Sequence, residues 1–570
     1  RAVPADAKVS VLLDKKEYFL GENILVHFVV ENAGKGLFSI TMGGDYRGAS
    51  RALSFHVTAT DAEGKQAADP DPSGHSLGGI RYSPELKPGQ KHYASLQLRR
   101  YRRLERPGVY TIRVAHNLGW RETPGRKIPV AEATLKVLMP DAKQACAVVE
   151  EMYRLPRDHG GTAGQKRQPF ADFGALAYPV YLPWLTPRAA EGDEEALAAI
   201  GVIAAPEATK ALIELAGHKD AKFALSAVQT LNHRLPDPEL EGKLRKRNVF
   251  LNDWLESRRW LVSQSWKPDL APSVRKIAGK LLQENDVTRL QCGGYMLQCL
   301  GTQDDVPALV RALDAAVAEA KKRPPEQHVY PRPRGACTEL LRAANVMVQR
   351  GIDPPLPPRL PGERILFAQV IQQRPEFRPK DWEATYAALL DDEFPFVRQV
   401  GLDSLPEAPP KFLVGLLPKL LLDADLDVQT SACQVAGKLK APELRVPLLK
   451  VLNTAKDDWL LRAASAAAYE KLVPRLEYVR VFVNRLDEEG MANTSLEHLM
   501  FLVKGTGGRS GPGKLTADEA KTCKQAWEQF LRSHAQEVAA GQTYAVGDPR
   551  VPIGELFPRT EFHPAARKAK

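Results

Sequence analysis

Three stretches in the C-terminal half repeat one pattern: F-V-R-Q-V-G-L-D-S-L (Phe396 to Leu405), D-V-Q-T-S-A-C-Q-V-A-G-K-L (Asp427 to Leu439) and L-L-R-A-A-S-A-A-A-Y-E-K-L (Leu460 to Leu472). Anchored on Val397, Val428 and Leu461, they recur at intervals of 31 and 33 residues. Each follows an acidic turn: Asp391–Asp392–Glu393, Asp423–Asp427 and Asp457–Asp458. Each also carries a small residue (Gly401, Ala432, Ser465) four positions after its anchor, one turn along the same helix face. Partner helices are expected over Lys411–Leu422, Glu443–Leu452 and Glu477–Leu486. A helical unit of this length cannot bury its apolar face alone, so the pattern requires that units stack.

Weaker copies appear at Ala204–Leu235 and Asp286–Ala320. The pattern resembles HEAT-type repeats, whose second helix reads V-R-x-x-A-x-x-A-L-G-x-L. Residues 391–472 carry it clearly and 191–504 more loosely. The resemblance implies an α-α superhelix over 191–540, with a break where the Pro-rich stretch Ile352–Gly362 interrupts the array. That stretch reads as an inter-repeat loop; a ligand for a Pro-binding module is the alternative. Trp527, Phe530 and Leu531 share a face of a terminal capping helix, and 541–570 read as a tail.

Ahead of the array, residues 1–140 follow a different period. Runs at 9–13, 24–31, 37–42, 53–60, 91–98, 109–116 and 133–139 read as strands. Leu53, Phe55 and Val57 oppose Ser54, His56 and Thr58, and Tyr110, Ile112 and Val114 oppose Thr111 and Arg113. Seven short strands predict an antiparallel β-sandwich. The segments Asp14 to Val26 (D-K-K-E-Y-F-L-G-E-N-I-L-V) and Pro107 to Val114 (P-G-V-Y-T-I-R-V) resemble immunoglobulin-like and macroglobulin-type modules of bacterial envelope proteins. The resemblance implies a spacer or adhesion-type module in which Tyr18 anchors a strand end, Gly21 turns the chain and Tyr110 sits in the core. Residues 141–190 form a connector: a helix from Asp141 to Tyr153, then a strap rich in Pro and aromatic residues. Residues 156–188, including Tyr178 to Pro187, are expected to lack regular structure and to pack as an ordered strap.

The 570-residue chain carries a net charge of +10, of which residues 1–140 supply +7 from 21 basic and 14 acidic side chains. Two clusters stand out. Arg99, Arg100, Arg102 and Arg103 surround Tyr101 within Leu98–Arg106, where guanidinium groups and a ring could grip phosphates and stack on a base. Trp254, Arg258, Arg259, Trp260 and Lys267 interleave cations and aromatics within Arg247–Lys267. For both, a structural role is the plainer expectation: long Arg stems covering apolar surface, and Trp side chains plugging the array core.

Catalytic patterns are weak. Gly508–Lys514 has the G-x-x-x-x-G-K spacing of a phosphate loop, but Leu515 stands where the magnesium-binding hydroxyl belongs, and no strand is expected before it. His159–Gly161 (H-G-G) resembles an esterase oxyanion loop, yet no G-x-S-x-G supplies a nucleophile. The chain has no His-Glu dipeptide of the kind repeated in deoxyhypusine hydroxylase-like enzymes, and none of its twelve histidines shows zinc spacing. Six cysteines (146, 292, 299, 337, 433, 523) show no C-x-x-C pair. No apolar run reaches the length of a membrane span. The sequence starts at Arg1 with no signal peptide, and the style of its first domain leads us to expect an exported protein. The expectation is therefore a non-enzymatic scaffold without cofactor or metal, whose solenoid surface binds another protein. The alternative is a nucleic-acid or polyanion binder using the two basic clusters.

Overall fold

A computed structural model describes residues 2–43, 51–70, 83–156, 163–164, 171–236, 262–322, 336–455, 458–488, 491–492, 495–496, 498–499 and 515–542. Its N-terminal β region is followed by a predominantly helical one. The chain divides into two compact units: Arg1–Ala312 with Gly335–Met347, and Leu313–Arg334 with Val348–Lys570. The division falls ahead of Ile352–Gly362.

The β region holds β1 (Ala7–Leu13), β2 (Glu17–Phe19), β3 (Leu25–Asn32), β4 (Phe38–Ser39), β5 (His56–Asp61), β6 (Glu85–Leu86), β7 (Lys91–Gln97), β8 (Gly108–Ala115), β9 (Val130–Leu138) and β10 (Ala163–Gly164). One sheet runs β1-β3-β7-β10, a second β2-β9-β8-β5, and β4 pairs with β6. The expected alternation holds: Val57, Ala59, Ile112 and Val114 are buried while His56, Thr111 and Arg113 face water. Side chains of both four-stranded sheets enter one apolar cluster, including Val26 and Phe28 from one and Ile112 and Leu135 from the other. The arrangement is not wholly antiparallel, because β2 runs parallel to β9. The chain changes sheets at Asp14–Lys16, so β2 meets β9 instead of returning along β1.

Helix α1 (Ala142–Arg154) starts at a capping box between Asp141 and Gln144, as the Asp cap predicts. The connector departs from expectation after that. It forms tight turns at Phe173–Ala175 and Pro179–Tyr181, and Leu182–Ala190 is a regular helix, α2. Pro183 is tolerated because it lies in the first turn, where backbone N–H groups have no partner in any helix.

In the first unit α2 packs on α3 (Glu194–Val202), α4 (Pro206–Leu215) on α5 (Ala221–Asn232), and α6 (Ala271–Leu281) on α7 (Val287–Leu300). The odd-numbered partners α3, α5 and α7 stack in one row, and α2, α4 and α6 in another. Asp193, Asp220 and Asp286 cap α3, α5 and α7, each accepting a backbone N–H of the first turn. The division between the units falls within α8 (Val306–Lys321) and α9 (Ala336–Gln349).

The second unit repeats the scheme. After α10 (Pro361–Gln373), the pairs are α11 (Trp382–Leu390) with α12 (Pro395–Asp403), α13 (Leu417–Leu421) with α14 (Leu426–Leu439), and α15 (Arg445–Thr454) with α16 (Trp459–Glu470). Helices α12, α14 and α16 carry the three sequence repeats and stack in one row, with Val397, Val428 and Leu461 all buried. Their acidic turns do the capping: Asp392 accepts the Phe394 N–H, Asp425 caps α14 and Asp458 caps α16, at intervals of 33 residues. Arg398 of α12 forks onto Asp423 of the next turn (2.7 and 2.8 Å), tying one repeat to its neighbour. Helix α17 (Arg475–Asn484) packs against α18 (Ala517–Ala539), which buries Trp527, Phe530 and Leu531.

Candidate functional site

The Leu98–Arg106 segment turns out to be braced. Leu98–Arg100 is a single tight turn after β7, and the Tyr101 and Arg102 N–H groups both donate to the Leu98 carbonyl. Tyr101 is 4% exposed; its hydroxyl donates to the Ala52 carbonyl and the Arg51 guanidinium lies over its ring. That burial leaves the ring no open face on which a base could stack. Arg99 forks onto Asp172 of the connector through Nε and Nη2. Arg102 donates to the Val57 carbonyl (2.9 Å) and pairs with Asp69 (3.1 Å). Arg103 is the looser one: its Nε stands 3.8 Å from Glu105 Oε1, with both side chains exposed. Arg100 is half-buried, and its backbone carbonyl accepts from Arg51.

These arginines form one wall of a cleft of about 400 Å³ between the strand ends and the connector. The rest of the lining is mostly apolar, from Phe19, Leu20, Ile24, Leu104, Val137 and Val202, with Glu22 and Glu105 as its acids. Its shape depends on close approach. Gly21, at φ +93°, lies where a Cβ would come within 2.6 Å of the Tyr181 ring and 2.9 Å of the Tyr178 ring. Tyr181 donates to the Leu20 carbonyl (2.8 Å) and Tyr178 to that of Leu104 (3.0 Å), fastening the connector to the β region.

Of the second cluster, Trp254, Arg258, Arg259 and Trp260 lie outside the described residues, as do His159–Gly161 and Gly508–Lys514. Lys267 is exposed, immediately before the turn Pro268–Leu270. The described helices before and after this segment meet, α4 packing on α6 and α5 on α7.

The structure also assembles a grouping that no sequence spacing announces. His27 Nδ1 lies 2.8 Å from Ser95 Oγ, and its Nε2 lies 3.1 Å from Asp14 Oδ1. The order of groups is that of a hydrolase triad. Ser95 and His27 are 2% and 0% exposed, however, and neither lines the cleft, so a substrate has no route to the hydroxyl. The network satisfies buried polar atoms that join the end of β1 to β3 and β7. Among the described residues no group of three or more His, Cys, Asp or Glu is placed to hold a metal ion, and no helix is long and apolar enough to cross a membrane.

In the second unit, cations and rings pair from the end of α10 to the turn Lys411–Gly415. The Arg374 guanidinium lies 4.1 Å from the Phe377 ring centre, and that of Arg378 lies 5.0 Å from Trp382. Trp382 in turn meets Phe412 edge-on at 6.0 Å. Phe377 is 58% exposed, and elsewhere in the second unit so are Leu422 (45%) and Val446 on α15 (75%). No protein-family model matches the chain, and no curated protein is significantly similar to it.

Proposed function

We propose that the chain is a non-enzymatic interaction scaffold, an immunoglobulin-like or macroglobulin-type sandwich followed by a HEAT-type solenoid whose surface binds protein. The observation that carries this reading is the line Arg374–Phe377, Arg378–Trp382–Phe412 on the second unit. Arg and Trp are among the residues that contribute most at protein interfaces, and an exposed ring such as Phe377 gains by leaving water. Trp382 opens α11, and the others sit in the short turns beside it, where cation–ring and ring–ring contacts hold them and lower the ordering cost of binding.

The test is affinity capture from native extract with the full chain as bait, washed at low and high salt, with and without nuclease. Phe377→Glu and Val446→Glu serve as comparison baits, since both positions are exposed. The expected result is a protein retained at high salt by the native chain and lost from the variants. Retention that vanishes with salt or nuclease would replace the scaffold with a polyanion binder, because phosphate contacts weaken steeply as salt rises.

A further inference from the structure

Two features of the cleft beside Leu98–Arg106 point to a ligand that a basic cluster by itself would not indicate. The first is the lining: Leu20, Ile24, Leu104, Val137 and Val202 are aliphatic, and the space of about 400 Å³ falls in the range of small-ligand pockets. The second is the state of the arginines. Arg99 commits Nε and Nη2 to Asp172, and Arg102 is held by Val57 and Asp69. Arg103 makes no hydrogen bond through its guanidinium among the described residues, its closest carboxylate oxygen being 3.8 Å away. The wall therefore offers an aliphatic surface with cationic donors at its edge. A nucleic-acid strand would bury polar base edges against that surface and find Tyr101 already inside the core. A molecule with a saturated body and one anionic end satisfies both parts.

We propose that this cleft binds a monomeric alkyl carboxylate, the chain lying along the aliphatic wall and the carboxylate meeting Arg103. Arg99, whose Nη1 has no hydrogen bond among the described residues, stands on the same wall as a second donor. Such a guanidinium–carboxylate contact is charge-assisted and favours a planar two-oxygen head. Each added methylene that enters the cleft leaves water, and its transfer tightens binding by about fourfold, from about 0.8 kcal/mol per group.

The experiment is calorimetric titration of the full chain with hexanoate, octanoate and decanoate, each kept below its micelle threshold, beside 1-octanol, inorganic phosphate and a single-stranded oligonucleotide. The expected result is affinity rising about fourfold per methylene until the cleft is full. Arg103→Gln should weaken each carboxylate about tenfold and leave 1-octanol unchanged. Ala204→Phe, at an exposed position on the cleft wall, should abolish binding while leaving the melting temperature as it was. Should that variant melt lower, Ala177→Leu, half-buried elsewhere on the wall, is read in its place. Absence of binding, affinity independent of chain length, blocking variants that bind as the native chain does, or competition by the oligonucleotide would each overturn the proposal.

Discussion

His116 is 1% exposed; its Nδ1 accepts the Leu118 N–H at 2.7 Å, and burial pushes its pKa down to about 4. His92, also buried, is shifted the same way by the same cause. A histidine held neutral in the fold titrates normally once unfolded, so between pH 6.5 and 4 the unfolded chain binds the extra proton and stability falls with pH. The loss from His116 is complete near pH 4 and amounts to about 3 kcal/mol. Denaturant unfolding of the native chain and His116→Gln at pH 7 and pH 4.5 measures it: the drop in stability should be about 2 kcal/mol smaller in the variant. An equal drop in both would refute the assignment. Arg234 is a fully buried cation with no carboxylate partner among the described residues, and burial lowers its pKa to about 10. It donates to the carbonyls of Ile200, Gly201 and Ile203 at the C-terminus of α3, and to Thr209 and Ser265. Those carbonyls carry the negative end of the helix dipole, which compensates the cation. Arg234→Met leaves these acceptors unpaired and should cost about 3 kcal/mol, with Arg234→Lys recovering only part because an ammonium cannot span them. A Met variant as stable as the native chain would show that water replaces the side chain.

Among the elements, the row α12–α14–α16 rests on small residues. A Cβ at Gly437 of α14 would stand 3.1 Å from Ala468 Cα and 3.3 Å from Ala468 Cβ on α16. Backbone on the facing helix cannot swing aside as a side-chain end can, so Gly437→Val should separate the two helices at a cost of about 1–3 kcal/mol. Gly401 differs: its missing Cβ would meet the ends of Leu389 and Leu390 on α11, its own hairpin partner. Gly401→Ala is therefore absorbed more cheaply by rotamer changes, and comparing the two variants by urea midpoint separates contact within a pair from contact between repeats. A Gly401→Ala loss equal to or above that of Gly437→Val would reverse this ranking.

For the whole chain, the continuity of the first unit's rows across residues 237–261 has a consequence. Arg234 Nη1 reaches Ser265 Oγ at 2.9 Å, so the described residues before and after that segment are already joined. Replacing 237–261 with a short Gly/Ser link should leave the melting temperature within about 2 °C, since the contacts of α4 with α6 and of α5 with α7 are made by residues on either side of it. Loss of a cooperative transition would show that the segment belongs to the core of the array. The same variant decides whether Trp254, Arg258, Arg259 and Trp260 bind a partner: retention of a partner by the scaffold without them would remove them from the interface.

Local patterns were enough for much of the architecture. The 31- and 33-residue intervals marked helices that stack, Asp residues before apolar runs marked their caps, and alternation in residues 109–116 marked β8 with its buried face, because each of these is set within a few residues along the chain. What became of the charged side chains was decided elsewhere. Arg99 meets Asp172 from 73 positions away, Tyr101 is covered by Arg51, and His27, bonded to Asp14, reaches Ser95 across 68 residues. The parallel pairing of β2 and the helix at Leu182–Ala190, despite its prolines, likewise depend on neighbours distant in sequence. Whether an arginine is a free cation, a brace or the edge of an apolar cleft follows from which groups pack beside it and how much water remains, and only the tertiary structure fixes those.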